Sequence, residues 1–143
     1  MLEINFPENK FRIKKENGKE MIFDVVRSKW VTLTPEEWIR QNFLQYLLQV
    51  KNYPKSLLSI EKIINLGELK KRCDIVVYRN NFPWMIVECK EMNVDLKTAV
   101  LEQILRYKMV LPVKYLVLTN GKKTLGFELT KDGFIEINEL PSF

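Results

Sequence analysis

Two apolar triplets, Ile75-Val76-Val77 and Met85-Ile86-Val87, flank the turn sequence Asn80-Asn81-Phe82-Pro83. A strand that is apolar at consecutive positions buries both of its faces. This hairpin therefore belongs in the centre of a sheet, with a layer packed on each side. The rest of the chain supplies the layers. Leu33-Thr34-Pro35-Glu36-Glu37-Trp38 opens a helix, with Thr34 as N-cap, Pro35 at the first helical position and Glu37 at capping-box spacing. Ile39, Phe43, Tyr46, Leu47 and Val50 follow at helical spacing, and Asn52-Tyr53-Pro54 ends the run. A second helix is expected from Asp95, its cap, to Leu111, closed by Pro112. Further strands are expected at Leu57 to Leu66, with Gly67 as the turn, and at Lys114 to Thr119.

The expected class is α/β: a mixed sheet flanked by helices, with an N-terminal basic hairpin. The hairpin is placed in residues 1–28, around the Asn17-Gly18 turn. The core spans 33–121, and a C-terminal hairpin occupies 122–143 within one unit of 143 residues.

The chain has no histidine. That removes Ser-His-Asp and Cys-His hydrolases and H-E-x-x-H metalloproteases. Catalysis is left to carboxylates, lysines, hydroxyls, thiols or a metal held by oxygen. The two cysteines, Cys73 and Cys89, form no C-x-x-C pair. A net charge of +5 permits an anionic partner without requiring one. The N-terminus lacks a basic-then-apolar signal region, and apolar runs are too short to span a bilayer. A cytoplasmic protein with no membrane association is expected.

With its turn centred at Asn81, the central hairpin pairs Tyr78 with Trp84, Val76 with Ile86, and Asp74 with Glu88. The same register sets Cys73 against Cys89, on the face opposite the carboxylates, as buried thiols. Like charges directly opposite one another destabilise a sheet. A divalent cation such as Mg²⁺ or Mn²⁺ between Asp74 and Glu88 removes the objection. Lys90, two residues beyond Glu88, falls on the same face. Asp74 and Glu88 are thus candidate metal ligands. Lys90 is a candidate to orient an attacking water and stabilise a charged phosphoryl group. The basic run Lys70-Lys71-Arg72 immediately precedes Asp74, and Lys71 and Arg72 are assigned to phosphate contacts. Lys122-Lys123 and the group Lys10, Arg12, Lys14 and Lys15 are further basic clusters.

Cys73-Asp74 followed by Glu88-Cys89-Lys90 resembles the PD-(D/E)xK nuclease superfamily. The wider text is similar to the N-terminal nuclease domain of type I restriction enzyme R subunits. Its blocks are Thr34 to Gln41, Lys71 to Tyr78, Ile86 to Lys90, and Leu118-Thr119-Asn120-Gly121, covering about Leu33 to Gly121. Cys73 stands where the superfamily name has proline, and Glu91 where a small residue is expected. The motor domains of an R subunit do not fit in this length, so a short relative or a cut-out domain is expected.

The resemblance implies that the α/β sheet is restriction-endonuclease-like and that the chain is a Mg²⁺- or Mn²⁺-dependent endonuclease hydrolysing DNA. The alternative is a DNA-binding module of the same fold that needs motor or specificity partners for turnover. It implies an acid from the first helix, Glu36 before Glu37, as a further catalytic residue. It also matches Gln103 and Tyr107, one helical turn apart, to a Q-x(3)-Y substrate-contact motif. Expected partners are DNA and either a second copy of the chain or restriction-complex subunits.

Overall fold

The computed structural model describes residues 1–66, 68–107 and 113–143, and all of their side chains except those of residues 66, 69, 101 and 103–107. Three strands, β1 (Ile13–Glu16), β2 (Lys19–Asp24) and β3 (Lys29–Thr32), form an antiparallel sheet. The helix α1 (Pro35–Gln45) follows. Then come β4 (Leu58–Leu66), β5 (Leu69–Arg79), β6 (Phe82–Cys89), the helix α2 (Leu96–Tyr107), β7 (Tyr115–Thr119), β8 (Thr124–Thr130) and β9 (Gly133–Ile137). These six strands make a second sheet in sequence order. All its neighbours are antiparallel except β6 and β7, which run parallel across the α2 crossover.

The central position expected of the hairpin is realised. Ile75, Val76, Val77, Met85, Ile86 and Val87 are fully buried. Alternate residues feed two cores. Ile75, Val77, Met85 and Val87 pack with Ile39, Phe43 and Leu44 of α1 and with Leu47 just beyond it. Val76 and Ile86 pack with Leu96, Ala99 and Val100 of α2. Caps form as the residues dictate: Thr34 Oγ1 accepts the Glu37 N–H at 3.0 Å, and Asp95 Oδ1 accepts that of Lys97 at 3.0 Å.

The expected C-terminal hairpin forms within residues 122–143 as β8 and β9, which also extend the main sheet. Three expectations need correction. β3 adds a third strand beyond the expected N-terminal hairpin of residues 1–28. Val50 is exposed, because α1 runs into a π-helical turn, Tyr46–Val50, that accommodates an extra residue and rotates the last side chains off the buried face. Tyr78 pairs with Pro83 instead of Trp84. Asn80 and Asn81 both adopt left-handed backbone (φ 52° and 66°), making a two-residue turn one residue tighter than one centred on Asn81. Trp84 is then the extra residue of a β-bulge, and the expected register resumes at Val77↔Met85. The expected turn at Gly67 and the end of the second helix at Leu111 and Pro112 lie outside the described residues.

The cysteines are both buried, but in different cores: Cys89 on the α1 side, Cys73 on the α2 side. Strict alternation would put Cys73 and Ile75 on one face. The β4–β5 ladder is interrupted between Lys62↔Cys73 and Ile60↔Ile75, where Glu61 opposite takes left-handed backbone (φ 52°). That irregularity separates the two thiols across the sheet. Burial, with the Asp74 carboxylate beside it, pushes the Cys89 thiol well above its usual range. Both thiols should therefore react with a disulfide reagent far more slowly in the native protein than in denaturant. Two fast-reacting thiols in the folded state would contradict this packing.

Candidate active site

The β5–β6 ladder stops at Ile75↔Val87, whereas β6 continues alongside β7 to Cys89↔Thr119. The Lys90 N–H then donates to the Thr119 carbonyl at 2.8 Å. β6 thus runs on, paired on one side only, past the point where β5 leaves it. Asp74 stands at that point. It does not pair with Glu88 in the ladder. Instead its Oδ2 accepts the Cys89 N–H at 2.7 Å, taking the place of a strand partner. An ionised carboxylate only accepts hydrogen bonds, so this contact fixes its orientation.

Glu36, Asp74, Glu88 and Lys90 line one pocket, together with Arg40, Glu61, Arg72 and Cys89. Glu36 comes from the first turn of α1, Asp74 from β5, Glu88 from the end of β6 and Lys90 from just beyond it. Glu88 is 3% exposed, and the Lys71 ammonium lies 3.8 Å from its Oε1. Arg72 is largely exposed and pairs with Glu61 at 2.8 Å. Glu37 lies away from this pocket. Its carboxylate is buried and is taken up by Arg27 and by Arg40, the latter at 3.0 Å. The side chains of Gln103 and Tyr107 lie outside the described residues, although both positions fall on α2.

Sequence reasoning did not single out Arg40. Its guanidinium is buried and joins Asp74 Oδ1 at 3.0 Å, Glu37 at 3.0 Å and Glu61 at 3.3 Å, with Glu36 at 3.7 Å. A signal was present: Arg40 lies one turn beyond Glu36 and Glu37, at the spacings that bring side chains together on a helix. Glu61 also escaped notice, an acid set inside the apolar pattern of β4. The chain of charges continues into the N-terminal sheet. Arg27 bonds Glu37 and also holds Asp24 by its Nε at 2.6 Å. Asp24 is fully buried and accepts further hydrogen bonds from the Val26 and Arg27 N–H groups and the Gln41 amide. Burial alone would raise its pKa. The Arg27 contacts and the Gln41 amide outweigh that and hold it below the usual value.

Glu36 is displaced the other way. Partial burial and then the charge of Asp74, with which it shares a hydrogen bond, raise its pKa. The nearby Arg40 and Lys90 charges act in the opposite direction without cancelling this. Among the described residues, no three acidic or cysteine side chains stand close enough together to hold a metal ion by themselves. A magnesium-type ion does not require that, since it keeps several waters and takes one or two carboxylates plus substrate phosphate oxygens. The donor chemistry of Glu36, Asp74 and Glu88, all carboxylate oxygen, fits such an ion. Among the described residues no helix is long and apolar enough to cross a membrane.

Comparison with known proteins agrees with this architecture. The family model for the type I restriction enzyme R protein N terminus matches residues 35–141. No curated protein sequence matches the chain. Among solved structures, a DUF820 protein from Anabaena variabilis ATCC 29413, itself described as a candidate nuclease, superposes with a TM-score of 0.50 at 14% identity. That likeness covers 93% of this chain and 80% of the other, and it concerns the fold. The family match takes in α1, every strand of the main sheet, and Glu36, Asp74, Glu88 and Lys90 of the pocket. The chain belongs to the family of type I restriction enzyme R protein N termini, with the restriction-endonuclease-like α/β fold of the PD-(D/E)xK nucleases.

Proposed function

We propose that the chain is a metal-dependent deoxyribonuclease domain, hydrolysing phosphodiester bonds of DNA inside the cytoplasm with Mg²⁺ or Mn²⁺. One observation carries the reading: Glu36, Asp74, Glu88 and Lys90 line a single pocket where β5 parts from β6. Asp74 and Glu88 would hold the ion, with Glu36 as a further carboxylate lining the same pocket. When bound, the ion supplies Lewis-acid polarisation of the phosphate and an acidified water. The protein supplies the rest. Asp74 is oriented by the Cys89 N–H. Lys90 is fixed through its backbone to β7, so its ammonium orients the attacking water and offsets charge developing on the phosphoryl oxygens. Lys71 and Arg72, on β5 just before Asp74, take flanking phosphates. Gln103 and Tyr107 are assigned to substrate contact on the strength of the family motif.

The second reading is a DNA-binding module that turns over only within a larger restriction assembly. The ion pair from Arg40 to Asp74 favours it, because the protein's own cation already engages an oxygen that the metal would use.

One experiment separates the two. The protein is incubated with linear, circular and single-stranded DNA in Mg²⁺, Mn²⁺ or EDTA, beside Lys90→Ala. The nuclease reading expects metal-dependent cleavage that is lost in Lys90→Ala. DNA binding without cleavage supports the module. A thermal melt with added Mg²⁺ gives an independent readout. Since the folded pKa of Glu36 is raised, ionising it costs the fold stability as pH rises above about 4.5, the value of the free side chain. A bound cation should return that stability near neutral pH. No rise in melting temperature with Mg²⁺ or Mn²⁺, and no cleavage, defeats the metal site.

A further inference from the structure

The outward face of the N-terminal sheet carries a pattern that the catalytic pocket does not use, and it precedes the residues matched by the family model. Residues 10–32 hold seven Lys and Arg against three acids. One of each, Asp24 and Arg27, pair with one another, which leaves six cations against two acids. The pairings Lys14↔Met21 and Phe23↔Trp30 put these side chains on one face, since Ile22 and Asp24 alternate into the interior. Arg12 joins them, because its carbonyl accepts the Phe23 N–H.

On that face the cations rest on aromatic rings. The Arg12 guanidinium lies 4.5 Å from the centre of the Phe23 ring and 5.3 Å from that of Trp30. The Lys14 ammonium lies 4.5 Å from the Trp30 ring centre. The two rings meet edge to face at 5.5 Å. Arg12 and Lys14 are exposed to solvent. A long cationic side chain free in water loses rotamer entropy when a ligand orders it. Lying on an aromatic face lowers that cost and leaves outward N–H donors for an anion. The planar guanidinium matches phosphate oxygens in particular. Lys14 also pairs with Glu16 at 2.9 Å, but both groups are well exposed and such a pair is weak.

Trp30 then leads toward the pocket. With Met21 and Thr32 it lines a groove of about 630 Å³ that Glu36, Arg40 and Glu61 line as well. Those same three residues line the catalytic pocket. We infer that the Arg12–Lys14–Phe23–Trp30 face binds the phosphodiester backbone of a nucleic acid duplex and feeds it along this groove to Asp74 and Glu88. The duplex as ligand rests on the proposed nuclease function. The contacts go to phosphate, so the binding is indifferent to sequence and sensitive to salt.

The test measures binding apart from cleavage. Fluorescence anisotropy of a labelled duplex is followed in EDTA for the wild type, for Arg12→Gln/Lys14→Gln, and for Lys55→Gln/Lys131→Gln as a control of equal charge change. At ~0.1 M salt the first pair should lose roughly tenfold in affinity, and the slope of log K against log salt should fall by about two. The control should stay within about twofold. Acetylation of Lys14 in the wild type, read by mass spectrometry, should slow when the duplex is added, a readout independent of any variant's folding. Unchanged affinity and slope in Arg12→Gln/Lys14→Gln, an equal loss in the control, or unprotected Lys14 each overturn the inference. A wild type that binds through this face but never cuts in Mg²⁺ or Mn²⁺ overturns the nuclease reading alone. One that cuts while Arg12→Gln/Lys14→Gln binds normally overturns this inference alone.

Discussion

Asp74→Asn should lower metal-dependent cleavage by about a thousandfold while the protein remains folded at 25 °C. The reason lies in the two oxygens of the side chain. One accepts from Arg40 and the other from the Cys89 N–H, so both neighbours are donors. An amide offers one acceptor and one donor group, and can satisfy only one of those neighbours. The leftover donor-to-donor contact should cost about 1–3 kcal/mol of stability. The lost charge removes the ligand on which the proposed metal chemistry depends. Single-turnover cleavage, with circular dichroism to check the fold, measures both effects. A folded Asp74→Asn that cleaves within tenfold of wild type would remove Asp74 from the chemistry.

Arg40→Met should give the larger loss of stability, about 3–5 kcal/mol. Methionine fills much of the same volume but leaves Glu37 and Asp74 without their shared cation. Both carboxylates sit low in the protein, with side-chain exposures of 7% and 15%, so water compensates poorly. For a chain of this size the melting temperature should fall by roughly 10 °C or more. Arg72→Met provides the contrast. It also removes a partner of Glu61, but Arg72 is 65% exposed, and the change should cost less than about 1 kcal/mol. Equal effects from the two substitutions would show that the buried charge cluster has no special weight. Added Mg²⁺ should partly rescue Arg40→Met, since a cation at Asp74 replaces the charge removed.

The sequence was most informative where local rules decide the outcome. Thr34 and Asp95 cap the helices they precede, and the consecutive apolar residues of the central hairpin are buried on both faces. The pocket carboxylates were visible for a related reason, since charges at the ends of such strands have a cost that needs an explanation. What the residues did not disclose depended on three-dimensional arrival. Arg40 meets Asp74 only because α1 lands against β5, and the two are far apart in the chain. The register inside the hairpin came out as expected through two departures that cancel, a tighter turn and the bulge at Trp84. β3 is four residues long, and its Lys-Trp-Val-Thr sequence reads as a strand only once β2 lies beside it.

The hydrogen bond from Cys89 to Asp74 makes one edge of the sheet depend on a side chain. Ordinary ladder bonds join backbone to backbone and survive substitution. Here the acceptor is a side-chain carboxylate, so a change at position 74 removes a sheet hydrogen bond as well as a charge. The outer end of β6 is thus tethered on one side by the backbone of β7 and on the other by a single side chain. Fraying at that end, read from the exchange rate of the Cys89 amide proton, should rise in Asp74→Ala.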